Sequence, residues 1–113
     1  MIYNAFDVVV VPFPFTDKTT TKRRPALVLS DAQSFNSQVG QAVMAMITSA
    51  NNSNWPLDTE IHYLDSAGLP APSIVRMKLF TLDEKLILRK AGRLASPDQA
   101  NTMKALHLLL PFG

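Results

Sequence analysis

From Asp7 to Ser30 the chain reads DVVVVPFPFTDKTTTKRRPALVLS. Its first nine residues, Asp7 to Phe15, are rich in β-branched and aromatic side chains, which predict a strand rather than a helix. Pro12 and Pro14 push that strand to a sheet edge or a bulged exit, because proline donates no ladder hydrogen bond. Residues 17–24 are polar and basic, a loop. Ala26 to Ser30 is a short apolar run between Pro25 and a polar stretch, and reads as a buried strand.

The remaining sequence extends this pattern. Gln41 to Thr48 predicts a third strand and residues 51–56 (NNSNWP) a loop. Thr59 to Leu64 alternates like a half-buried strand, and residues 66–72 form a turn region with Gly68, Pro70 and Pro72. Ser73 to Phe80 reads as a strand, Leu82 to Leu86 as one helical turn, and Ile87 to Leu94 as a strand carrying basic residues. The end is helical: Ser96 as N-cap, Pro97 at the first helical position and Gln99 completing a capping box. Met103, Leu106, Leu109 and Leu110 share one face at helical spacing. Leu108 lies off that stripe, which fits burial against a partner chain or simply the chain's end. The expected fold is mainly β: a small, strongly bent barrel of about six strands with a C-terminal α-helix, one domain over residues 1–113.

Composition narrows the function. The chain has 113 residues, of which 47% are hydrophobic, enough for one core. No run of about 18 apolar residues predicts a membrane span, and residues 1–4 do not read as a secretory signal. The absence of cysteine excludes a disulfide scaffold, a thiol nucleophile and a zinc ribbon, and suits the cytoplasm. The four glycines are not clustered, so there is no glycine-rich phosphate loop. His62 and His107 are far apart in sequence and form no metal motif. Asp58 and Glu60 alternate on one expected strand without a third ligand, and read as a solvated face. No metal or other cofactor is expected.

Net charge is only +2, but its distribution is uneven. Lys18, Lys22, Arg23 and Arg24 form one basic group with only Asp17 inside it. Arg89, Lys90 and Arg93 form another, read equally as a nucleic-acid flank or a solubilising face. Concentrated positive charge is what a phosphate-gripping surface needs. Phe13 and Phe15 read as core or dimer packing, with base stacking open to them if they lie exposed at the loop mouth, and Trp55, in a polar loop, is left with two roles: stacking on a base or capping the barrel.

The order of these pieces resembles the MazF/PemK family of ribonuclease toxins. A strand runs into a basic loop ending at Arg24-Pro25-Ala26-Leu27-Val28. Met46-Ile47-Thr48-Ser49, then LPAPSIVR over residues 69–76, then Phe80-Thr81-Leu82-Asp83, Gly92-Arg93-Leu94 and a terminal amphipathic helix follow. The resemblance covers nearly the whole chain. It implies an SH3-like barrel, usually homodimeric, acting as the toxin of a type II toxin–antitoxin system against a cognate acidic antitoxin. It implies metal-independent, sequence-specific cleavage of single-stranded RNA, with Arg24 and Thr48 as catalytic residues and Lys18, Lys22, Arg23, Ser49, Arg76 and Lys78 as RNA contacts. A fixed guanidinium suits the charge that develops on a phosphoryl group under attack by the substrate's 2′-hydroxyl, and a threonine hydroxyl adds a donor. Arginine is a poor proton acceptor, so the general base stays unassigned. Three departures stand out: Phe6 replaces the glycine usual before the first aspartate, the loop is threonine-rich, and Met77 and Lys78, not an acid, follow Arg76. These leave two alternatives open: a non-catalytic toxin of the same fold that binds nucleic acid or a protein such as gyrase, and an inactive remnant that only binds antitoxin.

Overall fold

A computed structural model of the chain describes residues 2–13, 22–52 and 54–112. In chain order its elements are β1 (Asp7–Phe13), β2 (Lys22–Val28), a wide helical turn (Ala32–Asn36) continuing into α1 (Ser37–Val39), and β3 (Gln41–Ser49). Then come β4 (Thr59–Glu60), α2 (Leu64–Ala67), β5 (Ser73–Asp83), a 3-10 turn (Glu84–Leu86), β6 (Arg89–Arg93) and α3 (Ser96–Leu109). The strands form one sheet in the order β4-β5-β3-β2-β1-β6, every neighbouring pair antiparallel. The expected mainly-β fold with a terminal helix is present, as a curled half-barrel with β4 and β6 at its edges.

The valine run of β1 makes sense in this sheet because both faces are covered. Alternate residues of a strand point to opposite faces. Val8 joins Leu27, Ile47 and Val75 in one core, closed by Ala67, Leu94 and Ala105. Val9 and Val11 join Val28, Met44 and Leu82 in the other, with Tyr3 and Ile87. A strand buried on both faces shows a continuous apolar run rather than alternation.

Several sequence-based boundaries move. The second strand starts at Lys22 instead of Ala26, because β1 pairs with the basic segment itself: Val11 lies opposite Arg24 and Val10 opposite Pro25. Pairing of β2 with β3 runs only from Ala26 to Val28, so Pro25, with no N–H to give, stands where that ladder ends. The strand expected over Thr59–Leu64 stops at Glu60. The buried Asp98 carboxylate takes the N–H groups of His62 (3.0 Å) and Tyr63 (2.9 Å), which turns the chain out of the sheet and into α2. The helical turn expected at Leu82 starts at Glu84, because Leu82 is drawn into β5 opposite Ala42.

The terminal helix begins without the expected capping box. Ala95 occupies the cap position, and Gln99 Nε2 donates to the Leu94 carbonyl (2.8 Å). Its buried stripe is Asp98, Thr102 and Ala105; of the expected apolar stripe only Leu106 packs in part against the core, and Met103, Leu109 and Leu110 stay exposed. The small, hydrogen-bonded stripe wins because Asp98 must reach the 62–63 backbone. Close approach also matters at the end of α2. A Cβ on Gly68 would lie 2.0 Å from the Ala91 carbonyl oxygen, and one on Gly92 would lie 2.4 Å from that of Ser66.

Candidate active site

Strand alternation and register assemble the site. Ala26 of β2 pairs with Met46 of β3, and Met46 pairs with Arg76 of β5. Arg24 and Thr48 each lie two residues from a member of this row, on the same face. Continuing the β2–β3 register past Ala26 brings Arg24 level with Thr48. Arg24, Thr48 and Arg76 therefore project from three adjacent strands, with Arg24 and Arg76 two strands across and two residues along from one another, roughly 12 Å between backbones.

Each side chain is held differently. The half-buried Arg24 places its guanidinium carbon 5.9 Å from the ring centre of Phe13, in cation–π range. Thr48 Oγ1 accepts a hydrogen bond from Asn52 Nδ2. With that lone pair occupied, the threonine O–H is left as a donor. Arg76 is buried and forked onto Asp58, with Nε to Oδ1 at 3.2 Å and an outer nitrogen to Oδ2 at 2.9 Å. The Asp58 hydrogen bonds raise the Arg76 pKa above its ordinary value, against the burial that lowers it. Arginine is thus fixed as a cation here.

Asp58 corrects the sequence reading: it is not a solvated strand residue but the partner of Arg76. It also places an acid beside Arg76 from a different segment, where the sequence after Arg76 has none. Residues 55–58 form the turn that delivers it. The Asp58 N–H donates to the Trp55 carbonyl (3.2 Å), and the Trp55 N–H donates to Asp58 Oδ2 (3.1 Å). Pro56 and Leu57 are the central residues, and Leu57 has φ +66°, as a type II turn requires. Asn52 and Asp58 are the site residues that sequence reasoning missed. The signal for Asp58 was its position one residue before β4, next in register to Arg76 once Thr59 pairs with Val75.

The other expected RNA contacts separate. Lys22 is exposed on the Arg24 face of β2. Arg23 alternates to the other side of β2, where it lines a pocket of about 220 Å³ with Arg89 over Val10, Pro25 and Leu69; Arg24 also reaches the lining of this pocket. Ser49 is exposed and faces away from Thr48, its Oγ accepting the Asn51 N–H at 3.3 Å. Lys78 is exposed, its Nζ 4.4 Å from the centre of the Trp55 ring. Lys18 and Phe15 lie outside the described residues. In the second basic group, Lys90 and Arg93 both pair with the buried Asp7, at 3.3 and 3.2 Å, so those two charges balance a core carboxylate. His62 and His107 stay apart, one backbone-bound to Asp98 and the other lining an apolar groove on α3. Among the described residues no group of three or more His, Cys, Asp or Glu side chains could hold a metal ion, and no helix is long and apolar enough to cross a membrane.

The family described as PemK-like, MazF-like toxin of type II toxin-antitoxin system matches residues 4–110. Solved structures share the fold at low identity. MazE-MazF (Form-III) from Deinococcus radiodurans is 22% identical with a TM-score of 0.78, over 100% of both chains. An endoribonuclease in complex with its cognate antitoxin from Mycobacterial species is 13% identical with a TM-score of 0.76, covering 99% of this chain and 96% of that one. Mycobacterium tuberculosis toxin MazF-mt6 is 17% identical with a TM-score of 0.73, covering 95% and 98%. No curated protein sequence matches the chain closely.

Proposed function

The chain belongs to the PemK-like, MazF-like toxins of type II toxin–antitoxin systems, and from that premise we propose that it is a metal-independent, sequence-specific endoribonuclease acting on single-stranded RNA in the cytoplasm. The observation that carries this reading is the placement of Arg24 and Thr48 on one face of neighbouring strands, with the Thr48 oxygen accepting from Asn52 and its O–H available to donate.

The RNA's own 2′-oxygen bonds to phosphorus as the bond to the 5′-oxygen breaks. One fragment keeps a 2′,3′-cyclic phosphate and the other a 5′-hydroxyl. The 2′-hydroxyl gives up its proton to the medium, and the departing oxygen takes one up. Negative charge grows on the non-bridging oxygens during attack, and the Arg24 fork and the Thr48 O–H are donors suited to it. Lys22 and Lys78 are phosphate contacts that set the strand's register. Arg76, already bonded to Asp58, orders that side of the site.

The same reading gives the chain two protein partners. A relative is solved as a MazE-MazF complex and another with its cognate antitoxin; here a basic surface calls for an acidic, partly disordered antitoxin segment. A second copy of this chain is the other.

The test is cleavage of a single-stranded RNA pool in excess chelator, with mapping of the new ends. The expected result is cut RNA carrying cyclic phosphate ends. A single 2′-deoxy substitution at the cut should block cleavage there, and Arg24→Ala should lower kcat at least a hundredfold with an unchanged circular dichroism spectrum. A strict requirement for a divalent metal, or undiminished cleavage by Arg24→Ala, would sink the mechanism. Growth arrest with intact RNA would favour the non-catalytic alternative.

A further inference from the structure

Resting on the ribonuclease reading, we propose that Trp55 is the platform on which a base flanking the scissile phosphate stacks, making it a specificity-determining residue of the site. Trp55 is the single tryptophan of the chain and is 40% exposed. It stands outside both buried cores, with much of its surface open to solvent.

The ring is nevertheless held in place. Its backbone N–H and carbonyl are both tied to Asp58, and Asp58 is itself locked onto Arg76. The Arg76 guanidinium carbon lies 5.9 Å and Lys78 Nζ 4.4 Å from the ring centre. The turn beneath it keeps Leu57 at positive φ, a conformation that disfavours leucine, while the leucine side chain packs against the core. Strain of this kind persists only where the surroundings over-determine it. The outcome is a partly exposed aromatic ring, anchored through its backbone, with two cations over it.

Its position suits a flanking base. Arg76 lies opposite Met46, two residues from Thr48 on the same face, and Trp55 sits beside Arg76. A phosphate between Arg24 and Thr48 leaves the neighbouring nucleotide over β5, next to this ring. Every base offers a π-face, and stacking favours those that stack strongly. Lys78, whose ammonium lies over the ring in the free protein, gives way to the stacking base and takes that nucleotide's phosphate.

The single tryptophan supplies the readout. A mixed-sequence, single-stranded oligoribonucleotide carrying 2′-O-methyl groups cannot be cut, and its binding should quench Trp55 fluorescence. The same strand annealed to its complement, with bases hidden, should quench far less. Trp55→Ala should weaken binding of the single strand about tenfold to a hundredfold, and Trp55→Phe should recover most of it. On RNA that the protein cuts, Trp55→Ala should raise KM more than it lowers kcat and flatten the base preference beside the cut. Saturable binding without quenching, or a Trp55→Ala variant with wild-type affinity and base preference, overturns the platform while leaving the ribonuclease reading intact. Quenching and Trp55-dependent binding by a protein that cuts no RNA sustain the platform and overturn the ribonuclease reading.

Discussion

Two arginines face the same site and are treated in opposite ways. Arg24 rests against the Phe13 ring, and no carboxylate pairs with it among the described residues. Arg76 is forked onto Asp58 and cannot offer its full donor set to a phosphate without breaking that pair. The difference supports the proposal that Arg24 meets the transition-state charge while the Asp58–Arg76 pair orders its side of the site. Removing one partner of a buried pair is far more damaging than replacing both. Asp58→Asn should therefore lower the urea midpoint and reduce kcat/KM about tenfold or more, whereas Asp58→Leu with Arg76→Met should restore the midpoint but not the cleavage. A double variant as unstable as the single one would show that the pair is not what couples this turn to β5. Arg24 and Thr48 were proposed from the family resemblance, which could reach them because each lies in a short contiguous motif, Arg24-Pro25-Ala26-Leu27-Val28 and Met46-Ile47-Thr48-Ser49. Asp58 was not: its link to Arg76 spans 18 residues and exists only through the β4–β5 register. Trp55 was visible as an anomaly, an aromatic in a polar loop, but what holds it is the same long-range register.

At the level of elements, the strands were easier to read than their ends. Runs such as VVVV and ALV declare strands through β-branched and apolar side chains, yet where a strand stops is decided by partners elsewhere in the chain. Asp98 shows this best. It lies in the first turn of α3, 1% exposed, and by accepting the His62 and Tyr63 N–H groups it ends β4, starts α2 and fixes which stripe of α3 faces inward. Thr102 continues that stripe by donating to the Asp98 carbonyl (2.9 Å). Sequence periodicity chose the leucines because it weighs side-chain polarity, not the backbone groups a carboxylate can satisfy. Asp98→Ala leaves two N–H groups without their acceptor, a loss of about 2–5 kcal/mol for the two charge-assisted bonds. Urea unfolding should register it, and hydrogen exchange at the His62 and Tyr63 amides should accelerate well beyond the global change. Exchange that rises only in step with global stability would mean that Asp98 is not the local clamp.

For the whole molecule, the same choice of stripe has a consequence on the outside. Turning Asp98, Thr102 and Ala105 inward leaves Met103, Leu108 and Leu109 of α3 exposed, while Leu106 packs in part against the core. Leu106 and Leu110 join Leu29, Val43 and Leu79 around a groove of about 350 Å³, with Leu79 37% and Leu110 45% exposed. Contiguous apolar surface of this kind is expensive to leave in water, and the proposed second copy would cover it. An interface built by one patch meeting itself across a two-fold axis needs no acidic or basic complement, which agrees with a groove whose lining carries no Asp, Glu, Lys or Arg. The charged face around Arg24 stays free for RNA in that arrangement. Sedimentation at micromolar concentration should thus find a dimer. Leu79→Glu would place an unpaired carboxylate in the interface, a cost of several kcal/mol, and should weaken dimerisation at least about a hundredfold. Because Leu79 is already partly exposed in the single chain, the variant's far-UV circular dichroism should not change. A wild-type protein that sediments as a monomer, or a Leu79→Glu variant that dimerises as tightly as wild type, would place the second copy elsewhere or remove it.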